Sequence, residues 1–185
     1  MIVKAASRGR KRSSSATHAV CAAALLLARQ LGPNRVTIEG IAAEAGVAKT
    51  TIYRRWPNAA AVVMDAFLAE IEPLIAYRRG HSVAETLRNA LTDFARALDP
   101  GRRDLLRHMI GAAQSDPDLA RAFWDNWIRP RREEGLAAIE AGGLSRDEGA
   151  LLLDLVFGAF YYRLLIPYAE IDDPWIDALV RKVCP

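Results

Sequence analysis

Cysteine is nearly absent: Cys21 and Cys184 are the only two in 185 residues, with no CxxC pair between them. That usage gives no disulfide framework and fits a reducing compartment in which neither thiol is bridged. The three histidines, His18, His81 and His108, have no metal-ligand spacing, and none accompanies a Cys or Ser nucleophile motif. Long apolar runs are also missing. The most hydrophobic stretch, residues 150–166, carries Asp154 and Arg163 and stops at Pro167, too short and too charged for a membrane span. The basic first dozen residues lead into no unbroken apolar core with a cleavage site, so no secretory leader is expected. No strand pattern occurs, and therefore no glycine-rich phosphate loop between strand and helix. These absences speak against a disulfide scaffold, a membrane span and the common metal, nucleophile and nucleotide chemistries. They predict a cytoplasmic protein with no catalytic residues, no metal and no cofactor.

What is present is helical periodicity and a lopsided charge. Apolar residues recur at three- and four-residue steps, which predicts an all-α fold. The net charge is only +3, yet residues 1–56 hold ten Lys or Arg against Glu39 and Glu44, a local balance of +8. The remainder sums to −5, with fifteen basic and twenty acidic side chains. A basic head on an acidic body suggests that only the head meets a polyanion. The punctuation divides the chain into a disordered basic arm (1–12), a small head domain (13–57) and a larger helical domain (58–185). A first helix is expected from the Ser13–Ser15 cluster to Leu31, its stripe made by Ala16, Val20, Ala23, Leu27 and Leu31. A second follows from Thr37 to Ala45, and a third from Lys49 to about Trp56. Asn58 then caps a long helix reaching about Arg79, kinked at Pro73 because proline removes a backbone donor and clashes with the preceding turn. Further helices are expected at 82–98, 102–114, 117–141, 146–166 and 174–183, the third of these bent or split at Pro130.

The segment Thr37–Trp56 carries the most information. Ile41 and Ala42 face inward on the first helix of a pair, Ala45 lets the helices cross closely, Gly46 makes the turn and Val47 plugs the corner. Ile52 and Trp56, four apart, bury one face of the second helix. Lys49, Thr50, Tyr53 and Arg54 occupy the opposite face, and all four suit phosphates or base edges. A helix of this size fits the major groove of DNA. A plain helical hairpin with a polar outer face is the competing reading, disfavoured by the turn chemistry and the +8 head together. Lys4, Arg8, Arg10, Lys11 and Arg12 in the arm either add phosphate or minor-groove contacts or form a solubilising tail.

The pattern Ile41-Ala42-x-x-Ala45-Gly46-Val47-Ala48-x-x-Thr51-Ile52-Tyr53-x-x-Trp56 resembles the signature of TetR-type (tetracycline-repressor-like) transcriptional regulators, a likeness covering residues 13–68. Asp116-Pro117-x-Leu119-Ala120-x-x-Phe123, Pro130-Arg131-Arg132 and Gly158–Leu165 are similar to one C-terminal type in that family. The resemblance implies a nucleoid-associated homodimer that reads a palindromic operator in double-stranded DNA. It also implies that a small effector in the body spreads the two heads so that they no longer match the half-sites. Repression is the default activity it implies. By the same resemblance Thr37 meets a phosphate, Lys49 and Thr50 face the groove, and Tyr53 contacts backbone phosphate. Two departures stand out. Ala48 occupies a position where the family commonly has serine, so a helix cap is missing. Ala59 replaces a lysine that typically grips the DNA backbone, for which Arg54, Arg55 or the arm would compensate.

In the body, residues 151–162 are apolar nearly all round, so a helix there must be covered on several sides. One face is expected to pack within the subunit. Another pairs with a twofold mate and with the helix bearing Trp175, Ile176, Leu179 and Val180, as a four-helix bundle; the alternative is a core helix of a monomer. Phe123, Trp124, Trp127 and Ile128 cannot all hide on one narrow stripe. With Met64, Phe67, Met109, Phe157 and Tyr161 they either line an apolar cavity for a small effector or form plain core, and the resemblance favours the cavity. Two other function classes stay open. An enzyme finds no motif to support it, and an interaction module that has lost DNA binding is favoured only by Ala48 and Ala59. A gel shift with DNA upstream of the protein's own gene separates them.

Overall fold

The computed structural model describes residues 8–75 and 77–184, with side chains from Ser15 onward. Among these residues every regular element is a helix, and the chain forms two compact units, residues 1–67 and 68–185. In the first unit α1 (Arg8–Leu31) packs on α2 (Ile38–Ala45), α2 packs on α3 (Lys49–Tyr53), and the unit takes in most of α4 (Ala59–Ile71). Helix α1 begins inside the stretch expected to be a disordered arm: the backbone of residues 8–12 is helical, while residues 1–7 lie outside the described ones. Its buried stripe is Val20, Ala23, Ala24 and Ala28, whereas Leu31, expected on it, is exposed. Small residues on that stripe let α2 approach closely. Gly40 belongs to the same contact, since a Cβ there would sit 3.5 Å from Leu27.

Helix α4 starts as the sequence predicts, with the Asn58 carboxamide accepting from the Ala61 backbone N–H at 2.9 Å. It ends earlier. Pro73 does not kink a helix that runs on to Arg79; α4 stops at Ile71, and Glu72–Leu74 tighten into a single 3₁₀ turn before extended Ile75. A proline near the end of a helix withholds the donor that the next turn needs, and here nothing downstream restores it.

The second unit holds α5 (Val83–Ala97), α6 (Pro100–Ala113), α7 (Pro117–Phe123), α8 (Arg129–Glu140), α9 (Arg146–Leu165) and α10 (Asp173–Val183). Caps fix most starts: Ser82, Asp99, Asp116, Ser145 and Asp172 each accept a backbone N–H of the first turn. Each such cap stabilises its helix by about 1 kcal/mol. Ser145 and Glu148 form a full capping box, which holds the Glu148 carboxyl below its ordinary range through hydrogen bonds from Ser145. The core centres on α5 and α9, where Phe94 and Phe160 stack with centroids 4.8 Å apart. The 117–141 segment, expected to bend or split at Pro130, is divided just before that proline. Trp124–Ile128 widen into a π turn, in which the Arg129 N–H reaches back to the Trp124 carbonyl. Pro130 follows directly. Its ring has no N–H for the carbonyl one turn back and crowds it, which the wider turn relieves.

Candidate nucleic-acid interface and internal cavity

The surface of the first unit is built from three local decisions of the chain. The Thr37 hydroxyl accepts the Gly40 N–H at 3.0 Å and starts α2. Gly46 ends it in the left-handed region, φ 63°, and the Val47 N–H returns to the Ala42 carbonyl at 3.0 Å. A residue with a Cβ would be strained at Gly46, so the turn that aims α3 depends on glycine. Helix α3 then opens at Ala48, which has the extended backbone of a cap but no side chain to act as one. The missing serine noted in the sequence is therefore a real gap in the capping.

Ile52 and Trp56 anchor the short helix: both are buried, and the Trp56 indole N–H donates to the Asp65 carboxylate at 2.8 Å. On the other side Lys49, Thr50, Tyr53 and Arg54 are all exposed, Tyr53 by 54%. Such a bare tyrosine on a fixed helix faces solvent or a partner, and its neighbours are polar or cationic. Lys49 is not idle. Its ammonium sits 2.9 Å from Glu39, and that contact raises the lysine pKa and lowers the glutamate's. Arg55 is drawn elsewhere, stacked over Trp56 at 4.9 Å and donating to the Thr17 hydroxyl at 3.2 Å. Of the residues expected at the interface, Thr37, Ala48, Lys49, Thr50, Tyr53 and Arg54 share an exposed surface around the turn, while Arg55 bridges to α1.

The second unit holds a partly open cavity of about 320 Å³. Ile75 and Tyr77 close it from the segment after α4, Ala90 and Phe94 from α5, and Trp127 and Ile128 from the π turn. Arg131 and Arg132 of α8 and the 153–161 stretch of α9 complete the wall. Five aromatic rings meet around it. Phe94 lies 6.3 Å from Trp127, 6.5 Å from Phe157 and 6.0 Å from Tyr161, and Tyr77 meets Phe157 edge-on at 6.5 Å. Tyr77 reaches its place only because residue 135 is glycine, where a Cβ would stand 2.8 Å from the phenol ring. Burial pushes the Tyr77 phenol far above its ordinary pKa and lifts Tyr161 to about 12, so both remain protonated near neutrality.

The two arginines of the wall are already engaged. Arg131 stacks on Trp127 at 4.8 Å and donates to the carbonyls of Ile75 and Glu72 at 2.9 and 3.1 Å, with Glu134 3.4 Å away. Arg132 pairs with Asp154 at 2.6 Å and donates to the Ala150 carbonyl.

Of the side chains expected in a cavity, Trp127, Ile128, Phe157 and Tyr161 lie on this wall. The others do not. Met64 and Phe67 are fully buried in the first unit, Met109 is core on α6, Phe123 is half-buried off the wall, and Trp124 points outward with 47% exposure. The π turn explains the last two: it rotates successive residues by less than an α turn does, so the cluster fans out and delivers Trp127 and Ile128 alone. Tyr77, Phe94, Arg131, Arg132 and Asp154 went unanticipated. Their signal was weak, since each reads as an ordinary member of its own helix or loop, although Arg131 and Arg132 lay within a stretch already marked by resemblance.

Comparison with known proteins adds an independent line. Residues 20–64 match the model described as bacterial regulatory proteins, tetR family, and residues 80–183 match a tetracyclin repressor-like C-terminal domain. An HTH-type transcriptional regulator of Bacillus subtilis, YdeS, is 35% identical, with 95% of this chain and 91% of that protein covered. The crystal structure of the TetR family transcription regulator SCO0332 superposes with a TM-score of 0.76 at 32% identity, covering 92% of this chain and all of that one. Thermus thermophilus FadR, a repressor solved with lauroyl-CoA, shares the fold with a TM-score of 0.65 at 23% identity over 90% of this chain and 92% of its own.

Proposed function

This chain belongs to the TetR family, a transcriptional regulator with a DNA-binding head and not an enzyme, and from that premise we propose that it is a homodimeric repressor released by a small apolar effector. The observation that carries the reading is that α9 has three apolar faces with three different fates. Leu153, Val156, Phe160 and Leu164 are buried in the subunit, and Phe157 and Tyr161 line the cavity. Leu151, Leu155 and Tyr162 stand bare at 61%, 47% and 55% exposure, one turn or two apart along a single stripe. A stripe of that size on a long helix is the kind of surface a twofold mate covers. Gly158 and Ala159 beside it allow helices to approach closely.

In the dimer the two heads read the halves of a palindromic operator. Lys49, Thr50, Tyr53 and Arg54 enter the major groove or grip its rim, and Thr37 offers a helix-start phosphate contact. Arg55 holds α3 against α1 rather than reading bases, a role supported by its stack on Trp56. Without a lysine at Ala59, the backbone grip falls more heavily on Arg54. The effector acts by binding one arrangement of the dimer better than the other, and the coupling energy is the difference between those two affinities.

Light scattering with Leu155→Arg is the direct test of assembly. The wild-type protein is expected to be a dimer at micromolar concentration and the variant a monomer that keeps its helicity; a monomeric wild type overturns the dimer. Selection of bound sequences from random DNA is expected to return an inverted repeat, and a site without twofold symmetry overturns the operator reading.

A further inference from the structure

We infer that the cavity selects an uncharged, flat, polycyclic aromatic ligand bearing a carbonyl-type acceptor; this rests on the effector reading above and names its chemistry. Three observations converge. First, the walls are rings. Phe94 touches Trp127, Phe157 and Tyr161 in tilted or edge-on contacts at 6.0–6.5 Å, and the wall they form presents ring faces and edges on which a flat aromatic occupant makes further edge-to-face and offset contacts. A fused aromatic matches such walls better than a flexible chain, which would lose rotamer entropy on ordering. About 320 Å³ lies at the small end of ligand pockets, which suits about two or three rings.

Second, both guanidinium groups of the wall are already engaged, Arg131 also lying 3.4 Å from Glu134. Arg131 is taken by two carbonyls and the Trp127 face, and Arg132 by Asp154. A ligand carboxylate entering here would be desolvated without a waiting cation, or would have to break one of these sets; both are costly in a site walled by apolar groups.

Third, a hydrogen-bond donor remains. Tyr161 and Trp127 both line the pocket, the indole N–H is hydrogen-bonded to the phenol oxygen, and among the described residues no acceptor is recorded for the Tyr161 O–H, which burial keeps protonated. A buried donor gains most from an acceptor, and a ring ketone supplies one without adding charge.

The test uses three near-isosteric probes on the full-length protein: 2-acetonaphthone, 2-naphthoate and 2-acetyldecalin, followed by calorimetry and melting temperature. The ketone is expected to bind at least about tenfold tighter than either of the others and to raise the melting temperature in proportion to its occupancy. Tyr161→Phe should weaken the ketone by about fivefold or more while leaving the affinities of the other two probes in the same ratio to each other, and should lower the ligand-free melting temperature because the Trp127 N–H loses its acceptor. Tighter binding of the naphthoate overturns the neutral-ligand inference, and equal binding of the decalin overturns the aromatic one; in both cases the effector reading stands. An unaltered affinity in Tyr161→Phe overturns the acceptor. If none of the three binds at millimolar concentration, the ligand class and the effector reading fall together.

Discussion

The head and the body solve opposite packing problems. In the head the working side chains point out and the scaffold is minimal: a few small residues on α1, one glycine turn, and Ile52 and Trp56 as anchors. In the body the pocket-lining side chains point in, and the walls they form are drawn from the chain after α4, from α5, the π turn, α8 and α9. A surface reader tolerates change at its tips and fails when its anchors go; an internal cavity has the reverse sensitivity, since its anchors and its functional groups are the same residues.

That contrast breaks most visibly at the aromatic anchors. Trp56→Ala is expected to cost about 3–5 kcal/mol, abolishing DNA binding in a gel shift while 2-acetonaphthone still binds. Phe94→Ala should cost a similar amount and do the converse, losing the ligand first. If each variant lost both activities equally, head and body would not be separable in this way.

A smaller effect comes from pH. The Tyr161 phenol is raised from 10 to about 12 by burial, so its contribution is fully present below pH 10 and is lost as pH rises through about 12. Alkaline melting should reveal a loss of about 1.4 kcal/mol per pH unit from Tyr161 over that window, and Tyr161→Phe should remove that share while the buried Tyr77 phenol keeps its own.

At the head's tip the effects are on affinity alone. Lys49→Ala should weaken DNA binding by about tenfold across all sequences and lower the salt slope by about one. Glu39→Gln frees the same ammonium from its 2.9 Å partner and should strengthen binding a few-fold. The smallest change is a repair: Ala48→Ser restores the absent cap of α3 and should stabilise the head by about 0.5–1 kcal/mol, read as a higher melting temperature.

The same contrast governs what was legible in the amino-acid sequence. The head is written in local signals. Thr37 as a cap, Gly46 in a left-handed turn and Asn58 before α4 each announce themselves within four residues, and the structure places all three so. The all-α class was equally plain from periodicity. The cavity was legible only in part, because it is assembled across large separations. Trp127, Phe157 and Tyr161 drew attention as aromatics, but Met64, Phe67, Met109, Phe123 and Trp124 drew it equally, and size alone does not tell a wall from a core. Tyr77 was hidden by reading Pro73 as a kink, which kept residues 74–79 in a helix they do not form. The register of the π turn, which separates Trp124 from Trp127, has no reliable trace in spacing.

Arg131 makes the shape of the cavity and the path of the chain after α4 a single variable. One guanidinium lies flat on Trp127 at the wall and clasps the carbonyls of Glu72 and Ile75. Any occupant that tilts Trp127 must move the clasp, and any shift of residues 72–75 must reshape the wall. The pocket wall and the backbone of residues 72–75 are therefore joined through one side chain, with no intermediate residue between them.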